Sequence, residues 1–272
     1  KQLMAISAGA LRNNKVGQAA EGMLAQAGLI LQLLVDVVRN TFRKPFQTRE
    51  FIQQAWFIAS VTILPTALVA IPFGAVVSMM TGAIIRQLGA EGFTGSASSL
   101  AVVQQISPMV TALLVAGAAG SAVTADLGSR TIREEIDAME VLGINPVQRL
   151  VVPRVLAMIL IAALLNGLVA VIGVAGGYVF NVMLQDGTPG TYVAAFSALA
   201  QLPDLWIGEI KGMIFGVIAG VVAAYKGLHP KGGPKGVGDA VNEGVVITFL
   251  LLFFANFILT AVYIQIVPPR GA

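Results

Sequence analysis

Cysteine is absent from this chain, which excludes a disulfide framework, a thiolate metal site and a cysteine nucleophile. Histidine occurs once, at His229, so there is no imidazole pair for a metal centre and little for acid–base chemistry. Charge is scarce. Asp, Glu, Lys and Arg make up 11% of the 272 residues, against about a quarter in soluble domains. The phosphate-cradling order G-x-x-x-x-G-K-[ST] occurs nowhere. The Gly/Lys stretch at 226–243 (KGLHPKGGPKGVGDAVNE) therefore reads as a loop, and the chain is not expected to hydrolyse ATP itself. Lys1 to Lys15 are mixed polar with no compact apolar region and cleavage site behind them, so no signal peptide is read. A start at Lys1 instead of Met reads as a start inside a longer frame.

Apolar sequence fills the space that charge leaves. Hydrophobic residues make up 56% of the chain and mean hydropathy is +0.82, which marks an integral membrane protein. Its basic pI of 9.3 needs no nucleic acid to explain it. Five stretches approach or exceed the ~20 residues that span a bilayer: 52–85, 100–125, 151–183, 205–225 and 244–267. Before them, residues 16–43 are two-faced, with Met23, Ala27, Leu31, Leu34 and Val38 against Gln18, Glu21, Gln32, Asp36, Arg39 and Arg43. Charges interrupt the apolar face, so this helix should lie in the interface and not cross it. The expected fold is all-α: an N-terminal interfacial segment at 1–50 and a five-span domain at 51–272. The segments 86–99 and 184–203 read as loops, the second with one short helix over 191–200.

The organising stretch is the polar connector between the second and third spans. Thr131 and Glu134 have capping-box spacing, and Glu134, Glu135 and Asp137 suit the positive end of a helix dipole. Ile132, Ile136 and Met139 share one face, with Glu140 offset from them. Gly143 and Pro146 stop the helix. A rigid polar helix over 131–142 either docks a protein outside the bilayer or merely joins two spans; capped helices are common, so spacing alone leans to the second.

Inside the spans, Pro65 and Pro72 each remove a backbone donor and invite a kink. Thr62, Thr66, Ser78 and Thr81 either repair the freed carbonyls or line a polar cavity. Gly208, Gly212, Gly216 and Gly220 recur every fourth residue, a smooth face for close helix packing. Glu209 and Lys211 sit in the same span. Ionisable groups there are either functional or a snorkelling pair beside the belt residue Trp206.

Lys and Arg placement sets the orientation. Seven precede residue 50, Arg130, Arg133, Arg149 and Arg154 flank the connector, and Lys226, Lys231 and Lys235 lie in the 226–243 loop. Only Arg86 and Arg270 fall on the other side. Five spans with the N-terminus in the cytoplasm put the connector inside and the C-terminus outside.

Two blocks carry a family resemblance. The first is Ser107-Pro108, AGAAGSAVTADLG (116–128), EEIDAMEVLGINP (134–146) and VVPRVLA (151–157). The second is IKGMIFGVIAG (210–220), YKG (225–227) and KGVGDAVNEGVVITFLLLFFANFILTA (235–261). In motif and order the chain resembles the MlaE/YrbE permeases, membrane subunits of bacterial ABC transporters that work with Mce-domain proteins on lipids. The resemblance implies a multi-pass subunit of the bacterial cytoplasmic membrane that pairs with a second permease chain. It implies a dimeric cytoplasmic ATPase that holds ATP and Mg, Mce proteins outside, a lipid substrate, and no cofactor or metal on this chain.

The residue roles implied are ATPase coupling for Arg133, Glu134, Glu135, Ile136, Asp137, Met139 and Glu140, and a lipid cavity at Thr81, Gln105 and Lys211. The chain departs from the family where an Arg-Glu-Leu-Gly-Pro run is here Gln104-Gln105-Ile106-Ser107-Pro108, and where Gly-Arg-Ala-Gly is Gly117-Ala118-Ala119-Gly120. Three charges become neutral, which points to a partner permease that is a different chain and retains them. The competing reading is a non-transporting scaffold that anchors the Mce proteins and the ATPase. An intramembrane enzyme fits poorly, because Asp126, Asp186, Asp204, Glu209 and Glu91 show no motif spacing.

Overall fold

A bilayer leaves no backbone hydrogen bond unmade, so an apolar chain of this kind must be helical through the membrane. The computed structural model describes residues 2–90, 93–185, 187–200 and 202–266, with side chains at 21–22 and from 24 onward within those ranges, except 198 and 199. Expectations placed on Lys1, Glu91, Asp186 and Arg270, and on the side chains of Arg12, Lys15, Gln18 and Met23, lie outside the described residues.

Among the described residues eight helices follow in order: α1 Gln2–Thr41, α2 Thr48–Gln87, α3 Thr94–Ile132, α4 Glu135–Val141, α5 Val147–Leu184, α6 Pro189–Leu199, α7 Leu202–Leu228 and α8 Gly233–Ile266. No strand occurs among the described residues. The helices α2, α3, α5, α7 and α8 are each long and apolar enough to cross a membrane. We call the end that carries α4 the connector end and the opposite one the far end.

Several spans run longer than hydropathy alone implied. The segment TGSASS (94–99), read as loop, belongs to the first part of α3. Its hydroxyls are buried under α6, where Ser98 and Ser99 lie 3.4 and 3.3 Å from the Tyr192 hydroxyl. Of the 226–243 stretch, only the turn before Gly233 is irregular, and α8 begins at that glycine. Burial overrides the loop propensity of Gly and Ser in both places. At 40 residues, α2 is about 60 Å long, twice the hydrocarbon thickness of ~30 Å.

The prolines leave α2 continuous. Thr62 and Thr66 donate one turn back, to the carbonyls of Ile58 at 2.7 Å and Thr62 at 2.6 Å. The carbonyls that Pro65 and Pro72 free are instead those of Val61 and Leu68. Ser78 donates across to the Gly177 carbonyl at 3.1 Å. The hydroxyls therefore serve α2 and its packing on α5, and not proline repair.

That packing follows a four-residue stride. The buried face of α2 is Gln54, Ile58, Thr62, Thr66, Ala70, Gly74, Ser78 and Gly82. It meets α5 where Gly173, Gly176 and Gly177 allow backbone approach. On the other side of α5, the glycine face of α7 does the same. A Cβ on Gly216 would stand 2.6 Å from Ile159 Cα, and one on Gly212 would stand 3.2 Å from the Ala162 carbonyl. Thus α3, α5 and α7 form the interior, while α2 and α8 turn most of their surface outward.

Among the described residues the N-terminal helix seats a face that overlaps the expected one only at Leu34, which packs half-buried against the main core. Leu33, Val37 and Asn40 are buried, whereas Leu31 and Val38 are exposed. Apolar residues surround α1 on more than one side, so the bundle takes one stripe and leaves the other to the medium.

The close approach predicts an asymmetry among glycines. Gly216→Leu should destabilise the detergent-solubilised chain by about 1–3 kcal/mol through overpacking, read as a lowered thermal midpoint. Gly238→Ala, whose new Cβ meets nothing within 4 Å, should leave the midpoint unchanged or raise it slightly.

Candidate functional site

Two polar assemblies interrupt the apolar bundle. The first is built around α4. The capping box does not form: Thr131 belongs to the last turn of α3 and donates its hydroxyl to the Leu127 and Gly227 carbonyls, both at 3.0 Å. The helix expected over 131–142 is instead the seven residues Glu135–Val141, entered through Glu134 in the left-handed region at φ 60°. Thr131 is spent on holding α3 to α7, so the chain breaks after it.

The exit matches expectation. Gly143 takes φ 74°, and Ile144 N–H reaches back to the Met139 carbonyl at 2.9 Å, the left-handed helix stop that glycine favours. Asn145 Oδ1 then accepts from the Val147 and Gln148 backbones at 2.9 and 3.3 Å, which caps the start of α5.

One face of α4 is tied to the bundle and the other is free. Ile136 is buried in the main core, and Met139 packs half-buried against it. Glu135 is half-buried, 3.1 Å from Arg133 and 3.9 Å from Arg130. Glu134, Asp137 and Glu140 are exposed, and beside them Val141 and Leu142 are 88% and 74% exposed. Ile132 sits in α3 and is exposed, so it does not share the seat of Ile136. The exposed apolar pair went unremarked in the sequence, although two large aliphatics immediately before a helix-stopping glycine were a usable signal.

The second assembly lies in the spans. Residues Val102–Ile106 form a π turn in α3, a local widening of the helix that often marks functional positions. The Gln104 carbonyl accepts from Lys211 Nζ at 3.2 Å, and Thr260 Oγ1 lies 2.9 Å from the same ammonium. Lys211 is 1% exposed, so it does not snorkel. Glu209 points elsewhere and accepts from Asn166 Nδ2 at 3.3 Å, while Asn166 also receives Ser107. Asp204 accepts from Gln104 Nε2 at 2.8 Å and from Tyr263 at 2.5 Å. Gln104, a neutral residue in place of a charge, and Ser107, in place of a glycine, are thus working members of this network. Residues Val115–Ala119, the other departure from the family pattern, form a second π turn.

Apolar space lies at the far end, under α6. A cavity of about 450 Å³ is walled by Val171, Val174, Tyr178, Tyr192, Phe196 and Leu205, and a neighbour of about 240 Å³ shares Val103, Phe196 and Leu205. Thr81, Gln105 and Lys211 line neither of them. Thr81 and Gln105 are half-buried, on α2 and in the π turn of α3. The α6 part of the wall, Tyr192 and Phe196, was missed because 184–203 reads as a loop with one short helix. The His/Cys/Asp/Glu side chains form no cluster able to hold a metal ion among the described residues.

The family described as Permease MlaE matches residues 51–262. A probable ABC transporter permease protein of Synechocystis is 34% identical over 177 residues, which is 65% of this chain and 67% of that protein. One from Rickettsia bellii is 26% identical over 253 residues, 93% of this chain and 98% of its own length. The intermembrane phospholipid transport system permease protein MlaE of Haemophilus influenzae is 27% identical over 190 residues, 70% and 73% of the two chains.

The seat of α4 can be tested separately from its exposed face. Ile136→Ala should weaken that seat by up to about 2–5 kcal/mol, seen as faster proteolysis within 133–145. Asp137→Ala should leave the cleavage rate at that of the parent.

Proposed function

The chain belongs to the MlaE permease family, and from that membership we propose that it is the permease subunit of an ATP-driven ABC transporter. It moves lipid between the cytoplasmic membrane and a conduit of Mce-domain proteins. It acts as one half of a permease pair. The neutral residues Gln104, Gln105 and Ala118 favour a paralogue as the other half. ATP and Mg belong to a separate ATPase dimer on the inner side, the side of α4 and of most Lys and Arg residues. The N-terminus is then cytoplasmic and the end of α8 external.

The observation that carries this reading is the exposed face of α4. Three carboxylates beside two aliphatics, on a helix anchored from behind by Ile136, suit a groove with an apolar floor and a basic rim. Glu134, Asp137, Glu140, Val141 and Leu142 make the contact. Ile136 and Met139 act from behind, as the seat that keeps the lever stiff. Arg133 and Glu135 set its entry angle.

Closure of the ATPase pair displaces α4, and the spans respond by changing the apolar space under α6 and between the two permeases. Such a cycle needs nucleotide to favour one arrangement over the other by differential contacts. Lys211 contributes a buried cation at the bundle side of the lipid path, with Gln105 and Thr81 nearer the path itself. One observation favours the scaffold alternative: Lys211 already donates to two partners within the bundle. Photo-crosslinkers at Val171 and Tyr178 decide between them, with lipid adducts supporting transport and consistently empty sites supporting the scaffold.

Two further outcomes are expected. Replacing Glu134, Asp137 and Glu140 together with Lys should cut co-purified ATPase by at least about tenfold, the scale of losing a buried charge pair or two at an interface, while the spans still insert. Full recovery of the ATPase would falsify the docking role. Because the chain has no native cysteine, single cysteines at Val141 and Gly190 report orientation cleanly. The first should react only from the cytoplasmic side and the second only from outside.

A further inference from the structure

Among the described residues the largest fully buried side chain is an arginine that no transport role described so far uses. Arg154, near the start of α5, is 0% exposed. Its Nε and Nη2 donate to Asp126 Oδ2 on α3 at 3.1 and 2.5 Å. The same Nη2 lies 3.4 Å from Glu50 Oε1 in the first turn of α2, and Nη1 donates to the Leu150 carbonyl at 2.8 Å. One guanidinium therefore joins the connector-end feet of three spans.

The pairing continues outward. Asp126 Oδ1 is 3.4 Å from Arg130, Arg130 is 3.9 Å from Glu135, and Glu135 is 3.1 Å from Arg133. Charges alternate along this line from Glu50 through Arg154, Asp126, Arg130 and Glu135 to Arg133, three of each sign. It runs from the foot of α2 to the lever α4.

The backbone on either side of α4 bends at two left-handed residues, Glu134 and Gly143. A seven-residue helix between two such bends would swing independently if nothing tied it down. Burial of Ile136 provides one tie and the charge line provides the second. A buried ion pair is a weak source of stability compared with apolar packing, and its better attested use is to fix one arrangement against others. Arginine suits this because its planar fork serves two carboxylates and a carbonyl at once, which a lysine ammonium on a flexible stem does not.

We propose that Arg154 is the pin that makes α4 and the feet of α2, α3 and α5 one rigid body. A displacement of α4 then reaches the spans and is not absorbed in the bends. Arg154 is a positioning residue, and its function rests on the reading of α4 as the ATPase-docking lever. The pin also predicts stiffness in the chain alone, which does not depend on that reading.

The test uses the assembled transporter in proteoliposomes, with Arg154→Lys and Glu50→Gln each compared with the parent. In Arg154→Lys, captured ATPase and the rate of ATP hydrolysis should stay close to parent values. Lipid moved per ATP hydrolysed should fall roughly tenfold, within the range by which substitutions in a coupling network act. Glu50→Gln leaves the Asp126 pair in place and should lower the same ratio less. An unchanged ratio in Arg154→Lys overturns the proposal, as does a fall in hydrolysis and transport in equal proportion.

Spin labels on cysteines introduced at the exposed positions Gln53 and Val141 complete the test in the chain alone. A narrow distance distribution in the parent that broadens in Arg154→Lys supports the pin, and equal widths overturn it. Failure of the parent to capture any ATPase sinks the docking reading and leaves the label result to decide the pin.

Discussion

Helices in a membrane gain nothing by hiding apolar surface from lipid, so the bundle depends on how closely α5 can be approached from two sides. Both approaches use small residues at a stride of four: Thr62, Thr66, Ala70, Gly74 and Ser78 from α2, and Gly208, Gly212, Gly216 and Gly220 from α7. Rows of that stride are the ridges along which helices interlock, and small side chains let the backbones meet so that dispersion and weak polar contacts accumulate. On α5 the row of α2 meets Gly173 and Gly177, while the glycines of α7 make room for Val155, Ile159, Ala162 and Asn166. The clasp fixes where the feet of α2, α3 and α5 stand, and so it makes the Arg154 cluster geometrically possible.

The two polar assemblies answer different needs. Around Arg154, carboxylates from α2 and α3 compensate a cation removed from solvent, and the line of charge runs outward to a solvent-facing helix. Around Lys211, the partners are a backbone carbonyl displaced by a π turn and a threonine hydroxyl, and no carboxylate lies within 4 Å of the ammonium among the described residues. A cation compensated only by dipoles is less fixed in its partner than one held in a two-carboxylate fork. The connector-end cluster is therefore built to stay, and the mid-span network is the one whose partners can be exchanged.

Legibility in the sequence followed the same physics. Five spans and a polar connector were readable because long apolar runs and charge bias report directly on the bilayer. The glycine row of α7 was readable because glycine stands out against aliphatics, whereas the equivalent row on α2 was obscured by being spread over Thr, Ala, Gly and Ser. The helical character of 94–99 and of the start of α8 was not legible, since Ser and Gly lose their loop preference only when a neighbour such as Tyr192 covers them. The capping box at Thr131 failed for a tertiary reason: Gly227 from α7 lies within reach of the same hydroxyl. The exposed pair Val141 and Leu142, and the junction at Arg154, needed three dimensions, because Glu50, Asp126 and Arg154 are far apart in the chain.

The attachment of α8 separates the bundle into a fixed and a less fixed part. Near the connector end it is packed at a stride of four, through Gly236, Ala240, Gly244, Thr248 and Leu252. There Lys226 also reaches Glu243 at 2.7 Å. Beyond Leu252 no residue of α8 is fully buried, and Phe253, Phe254, Phe257 and Ile258 face outward. That half is held to its own chain by Ala255 and Leu259, half-buried against the cluster of Ala112, Ala116 and Phe215, and by Thr260 on Lys211 and Tyr263 on Asp204. Polar contacts between membrane helices are individually weak, about 0.6 kcal/mol on average where measured, and their partners exchange without opening a cavity. If the connector end is stiff as proposed, strain delivered through it is relieved most cheaply in the far half of α8, where half-buried packing at Ala255 and Leu259 and two hydrogen bonds stand in for fully buried side chains.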